Sequence, residues 1–187
     1  MTARPSKTII GAAHQQITLA WWETRNQYEL LVSESVLREC EAGDPGAAQK
    51  RLAALRDVPL LLVNEQALNI AEGLVEKGIV PSKAAEDALH IAVATVHGVD
   101  YLLTWNCRHI ANPAIQRGIA GYLERVGYFL PFICTPEELL GDDNPSPFRH
   151  SSELASPANK KVLIHRIGRL GGVCCPRRQA ILSRLPA

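Results

Sequence analysis

Residues Ala85 to Asn106 read AEDALHIAVATVHGVDYLLTWN. An alanine-rich stretch of helical spacing stops at Gly98, a short apolar strand runs from Tyr101 to Thr104, and the segment closes on a polar loop at Asn106. Asp87 stands inside the helix, where an Asp is neither a strong helix former nor a favoured core residue. It calls for a chemical reason.

Upstream of this stretch the chain alternates helices with short apolar runs. The apolar positions between Ile9 and Asn26 keep helical spacing, Glu29 to Ser33 reads as a buried strand, and Glu34 to Glu41 as a helix leaving its C-terminal end. Asp44-Pro45 gives an N-cap followed by proline at the first helical position, which predicts a helix to Leu55. Val58 to Val63 is a second strand, and Asn64 caps a helix that ends at Lys77-Gly78. Ser82 opens the helix that carries Asp87. Downstream, Pro113 to Val126 is helical and Phe132 to Cys134 reads as an edge strand. Helices alternating with short apolar strands predict an α/β domain, a parallel sheet with helices on its faces.

The chain of 187 residues is long enough for one domain with a substantial core. No run approaches the roughly 20 apolar residues of a membrane-spanning helix, and the opening MTARPSKTII lacks the apolar core of a signal peptide, so a cytoplasmic protein is expected. Five cysteines, at 40, 107, 134, 174 and 175, form neither a CxxC pair nor an even framework. Reduced thiols are expected, not structural zinc or disulfides.

Charge is uneven along the chain. Residues 1–140 carry 12 Lys+Arg against 16 Asp+Glu, a balance of −4, whereas residues 141–187 carry 8 against 3, a balance of +5. Asp142 to Pro147 reads as a linker, and beyond it only Lys161 to Leu170 has a weak helical period. The expected organisation is therefore a domain over 1–140 and a basic, poorly ordered extension over 141–187. The extension's Arg and Lys residues would suit phosphate contacts if it met nucleic acid.

In an open parallel sheet ligands bind at the C-terminal ends of the strands. Two such ends are legible, Ser33 leading to Glu39 and Thr104 leading to Asn106. With the Asp87 helix packed beside them, Asp87, Glu39 and Asn106 would offer hard oxygen ligands to one ion, a set that selects Mg²⁺ or Mn²⁺ over zinc. An ion so held activates water and stabilises in-line displacement at phosphorus, so phosphodiester hydrolysis is the expected chemistry. Each residue also has a plainer reading. Asp87 could face solvent, Glu39 could share a solvated face with Glu34 and Glu41, Asn106 could cap the turn that follows, and Thr104 could simply end a strand. His90, His97 and His109 lack the HExxH spacing of a zinc site and read as packed or surface residues. Trp21-Trp22 reads as core, and Cys107 has no activating pattern around it.

Three segments together resemble the PIN-domain nucleases, and within them the VapC-like ribonucleases of type II toxin–antitoxin systems. Ser33 to Glu39 (SESVLRE) is similar to the family's strand-to-helix segment with its second acid, Asp87 to Ala92 (DALHIA) to the third-acid segment, and Asp100 to Asn106 (DYLLTWN) to the strand that ends in the fourth ligand. TWNCRHIANP is similar to a subgroup with Asn where most members have Asp. The resemblance covers residues 5 to 140. It implies a PIN-like fold and a Mg²⁺- or Mn²⁺-dependent endoribonuclease. Asp87, Glu39 and Asn106 would hold metal, and Asn106 and Thr104 would position water or phosphate. The implied partners are an RNA substrate, an antitoxin protein and a second copy of the chain.

The resemblance departs at the front. The family opens with a central strand whose acid is the first metal ligand, and this chain goes from Thr-Ala-Arg-Pro straight into its first helix. A start truncated relative to the family is the expectation, with activity impaired by loss of that acid. Two other classes compete: a non-catalytic PIN-like protein that binds nucleic acid or an antitoxin-like partner, and a small-molecule α/β enzyme. The latter lacks a glycine-rich phosphate loop or a nucleophile elbow. The acidic balance of residues 1–140 argues against strong nucleic-acid affinity.

Overall fold

The computed structural model describes residues 6, 8–140 and 160–165. Helix α1 (Ile9–Thr24) leads to strand β1 (Tyr28–Ser33), then α2 (Glu34–Glu41), α3 (Pro45–Leu55), β2 (Leu60–Leu61) and α4 (Glu65–Glu76). Next come α5 (Ala85–Val96), β3 (Tyr101–Thr104), α6 (Pro113–Arg125), β4 (Phe132–Cys134), the short α7 (Pro136–Leu140) and β5 (Lys160–His165). The strands form one sheet in the order β2-β1-β5-β3-β4, and every pairing is parallel. This is the α/β architecture expected from the sequence, a parallel sheet flanked by helices. Among the described residues no helix is long and apolar enough to cross a membrane.

Several local signals act as the sequence suggests, but Ser82 opens a 3-10 turn over Ser82–Ala84 and α5 starts at Ala85 with no side-chain cap. Asp44 caps α3 by accepting from Ala47 N at 2.9 Å, and Asn64 caps α4 by accepting from Ala67 N at 2.9 Å, each satisfying an amide that has no partner within the helix. Gly98, at φ +60°, ends α5 in the left-handed region where side chains are strained. Its neighbour Val99 donates back to Ala94 O at 3.0 Å, so the chain turns at once into β3.

The centre of the sheet is the unexpected part. β5 lies between β1 and β3, with Leu31 opposite Leu163 on one side and Thr104 opposite His165 on the other. The domain boundary expected at residue 140 therefore leaves out the strand on which the sheet closes. The helical period read over Lys161 to Leu170 gives way to a strand as far as His165; the rest of that stretch and the Asp142–Pro147 linker lie outside the described residues. The physical reason is legible in hindsight. Val162-Leu163-Ile164 is a continuous apolar run containing two β-branched residues, the pattern of a strand buried on both faces.

Alternation along β5 sends its side chains to two cores. Leu163 packs with Leu31, Leu102 and the buried faces of α4, α5 and α6, while Val162 and Ile164 pack on the other side with Leu103, Cys134 and Trp21 of α1. At its start, Asp100 fastens β5 to β3: its carboxylate accepts from Lys161 N at 2.8 Å and lies 3.4 Å from Lys160 Nζ. The Lys160 pair is partly exposed and contributes little, but the amide bond fixes the register.

Two outcomes follow from this packing. Leu163→Ala should lower the unfolding free energy by about 2–5 kcal/mol in urea titration, the range for a fully buried leucine; a loss near zero would place residue 163 outside the core. Burial, reinforced by the nearby Glu138 charge, pushes the Cys134 thiol up to about 12. At pH 8 roughly one Cys134 in ten thousand would then be thiolate. Alkylation followed by peptide mass spectrometry should label the exposed Cys107 readily and Cys134 only after unfolding.

Candidate metal centre

Three strands deliver their C-terminal ends to one edge of the sheet. β1 ends at Ser33, whose Oγ accepts from Val36 N at 3.3 Å and so starts α2 in place, with Glu39 further along that helix. β3 ends at Thr104. β5 ends at His165, which by alternation shares the face of Leu163 and Thr104, the face covered by α5. From α5, Asp87 and His90 stand one turn apart on the same side.

Glu39, His90 and His165 converge there. One ligand atom from each lies within 4.8 Å of the other two. Glu39 Oε1 is 3.6 Å from His90 Nε2, and the rings of His90 and His165 are 4.0 Å apart between centroids, tilted by 44°. Both histidines are fully buried, whereas the Glu39 side chain keeps 10% exposure and forms the solvent side of the cluster. Neither ring nitrogen of His90 makes a hydrogen bond. A buried polar atom left in that condition costs about 1–3 kcal/mol, a cost that a bound ligand would relieve.

A second layer holds the first. Thr104 Oγ1 lies 2.9 Å from His165 Nδ1 and accepts from Asn106 N at 2.9 Å, tying the end of β3 to the end of β5. Asn106 Oδ1 accepts from His109 N at 3.2 Å, closing the turn after β3, while its Nδ2 is buried without a hydrogen bond. Trp105 donates to Thr18 Oγ1 at 2.8 Å and stacks on His14 at 3.9 Å, which fixes the same turn against α1.

The four residues singled out from sequence fall in different places. Glu39 is in the cluster and Thr104 directly behind it. Asp87 is buried one turn before His90 but is not one of the three converging side chains. Asn106 serves as the cap of its turn. Glu34, on the same helix as Glu39, is structural, its Oε2 accepting from Val63 N at 2.9 Å. Sequence reasoning read His90 as a packed or surface residue, and packed it is, but did not place it in a cluster; His165 was not singled out. His90 stands three residues after Asp87, on the same helix face, and His165 ends the apolar run Val162-Leu163-Ile164; both signals were present.

These donors bear on which ion fits. Mg²⁺ requires near-octahedral oxygen ligation and gives up water reluctantly, whereas two of the three groups here are imidazoles. The cluster as formed therefore does not fit Mg²⁺. It suits ions that accept nitrogen, Mn²⁺ among them.

No family model, curated protein or solved structure matches this chain.

The Thr104 link can be checked by itself. Thr104→Val keeps the shape but leaves His165 Nδ1 and Asn106 N facing a methyl group, so stability in urea titration should fall by about 1–3 kcal/mol. An unchanged midpoint would mean that Thr104 does not hold the two strand ends together.

Proposed function

We propose that this chain is a metal-dependent endoribonuclease of the PIN type, akin to VapC toxins, that hydrolyses RNA phosphodiester bonds at the C-terminal edge of its sheet. One observation carries the reading: a carboxylate and two imidazoles converge where parallel α/β sheets bind their ligands, beside the buried Asp87. The resemblance of the segments around Glu39, Asp87 and Asn106 supplies the reaction.

A divalent ion bound there would activate water and offset charge on the phosphate. Glu39 is the partly exposed anion that meets an incoming ion. Asp87 adds negative charge one helical turn away, acting on the ion directly or through water. Asn106 Nδ2, buried without a partner, can donate to a phosphate oxygen, and Thr104 keeps His165 and the Asn106 turn in register. RNA in the cytoplasm, an antitoxin protein and a second copy of the chain are the partners this reading implies.

A second reading is favoured by one specific feature. The resemblance requires an acid at the end of a central strand, and the central strand β5 ends in His165. An imidazole in place of a carboxylate lowers the negative charge available to an ion. The result could be a PIN-like protein that binds nucleic acid or an antitoxin-like partner without cleaving.

Cleavage of single-stranded RNA by the purified chain, with Mn²⁺, Mg²⁺ or a chelator, separates the two. The ribonuclease reading expects chelator-sensitive cleavage that falls at least about 100-fold in Glu39→Gln and in Asp87→Asn, a loss of about 3 kcal/mol of transition-state stabilisation. Cleavage equal in wild type and both variants would remove these residues from the mechanism. RNA binding without cleavage would leave the second reading.

A further inference from the structure

We infer that Glu39, His90 and His165 form a binding site for a divalent ion of the first transition series, tighter for Zn²⁺ than for Co²⁺ or Mn²⁺, and not for Mg²⁺. The inference rests on the proposed function, whose ion it names, and draws its own support from the cluster.

Geometry comes first. Metal–ligand bonds of about 2.0–2.2 Å in a tetrahedral site put donor atoms roughly 3.3–3.6 Å apart. The His90 Nε2 to Glu39 Oε1 separation is already 3.6 Å, and no pair of the three donors exceeds 4.8 Å. Glu39, on the solvent side, gives the ion its way in. Three protein ligands leave a fourth position for water or a phosphate oxygen, the composition of catalytic zinc sites with two histidines and one glutamate.

The surroundings fit the same ion. Thr104 Oγ1 has two lone pairs. One accepts from Asn106 N–H, and the same hydroxyl lies 2.9 Å from His165 Nδ1, so the ring is anchored through Nδ1 and Nε2 is the nitrogen left for an ion. A ligating histidine is usually fixed through its other nitrogen in this way, and removal of such a partner commonly costs about 10- to 100-fold in metal affinity. His90 is fully buried with no hydrogen bond at either nitrogen, a condition that ligation would end at Nε2. Two imidazoles and one carboxylate rank divalent ions by their affinity for nitrogen, so Zn²⁺ should exceed Co²⁺ and Co²⁺ should exceed Mn²⁺.

The test is titration of the purified full chain with Zn²⁺, Co²⁺, Mn²⁺ and Mg²⁺ against a chromophoric chelator, with the Co²⁺ complex read by visible absorption. The expected result is one equivalent of Zn²⁺ bound, the order Zn²⁺ > Co²⁺ > Mn²⁺, and no saturable Mg²⁺ uptake. The Co²⁺ spectrum should be that of a four- or five-coordinate nitrogen–oxygen site. Glu39→Gln, isosteric and at the solvent side, should weaken Zn²⁺ at least about 10-fold while circular dichroism stays that of wild type, and His90→Gln should do the same where it folds. Mg²⁺ binding tighter than Zn²⁺, a thiolate-to-cobalt charge-transfer band, or Zn²⁺ affinity unchanged in Glu39→Gln would each overturn the inference. Zn²⁺ held by the cluster with no RNA cleavage would uphold it and remove the ribonuclease; Mg²⁺-dependent cleavage without binding at the histidines would do the reverse.

Discussion

Everything in this fold hangs on a strand of six residues, Lys160–His165, hydrogen-bonded along both edges. Among the described residues, β1 and β3 are not neighbours; each pairs with β5. Without it the sheet becomes two pairs of strands, β2-β1 and β3-β4, each with an open edge facing the other. Two-stranded units with unpaired edges are marginal in water and prone to association. The two cores depend on the same strand, because Leu163 fills one and Val162 and Ile164 the other. An element far along the chain thereby governs the packing of helices laid down well before it.

The same strand joins fold to chemistry. A period of two along β5 means that the residue placing Leu163 under α5 also places His165 there, against His90. Register with β3 then puts Thr104 beside His165, and the turn after Thr104 is fixed through the same hydroxyl. Glu39 arrives independently, from the helix that β1 launches at Ser33. The cluster is thus a consequence of parallel pairing: strands running the same way finish at the same edge, and side chains that lead out of them meet there.

How far the sequence reveals this differs by element. The helices were legible because their punctuation is local: Asp44-Pro45, Asn64 and Gly98 act within a turn of where they stand. β1, β3 and β4 were legible from short apolar runs between helices. β2 shrank from the expected Val58–Val63 to Leu60–Leu61. The short α7 was not anticipated, and β5 was masked by its setting. Its apolar run sits in a basic stretch rich in Gly and Pro, and charge asymmetry between chain halves says nothing about which segment pairs with which. The site divided in the same way. Glu39 and Thr104 follow from strand ends that can be read, whereas His165 belongs to a cluster only once β5 is in the sheet. His90 joins the cluster for the same reason, since its neighbour is brought from 75 positions away by a non-local pairing.

Amide hydrogen exchange read by peptide mass spectrometry tests the central claim most directly, because it reports the hydrogen bonding of residues 160–165 in the intact chain. A strand paired on both sides opens only with the whole domain, so the amides of Val162, Leu163 and Ile164 should exchange as slowly as those of Leu31, Leu102 and Leu103. Rapid exchange at 162–164 while β1 and β3 stay protected would mean that the sheet closes without β5. The account of both cores and of the metal centre would then fail together.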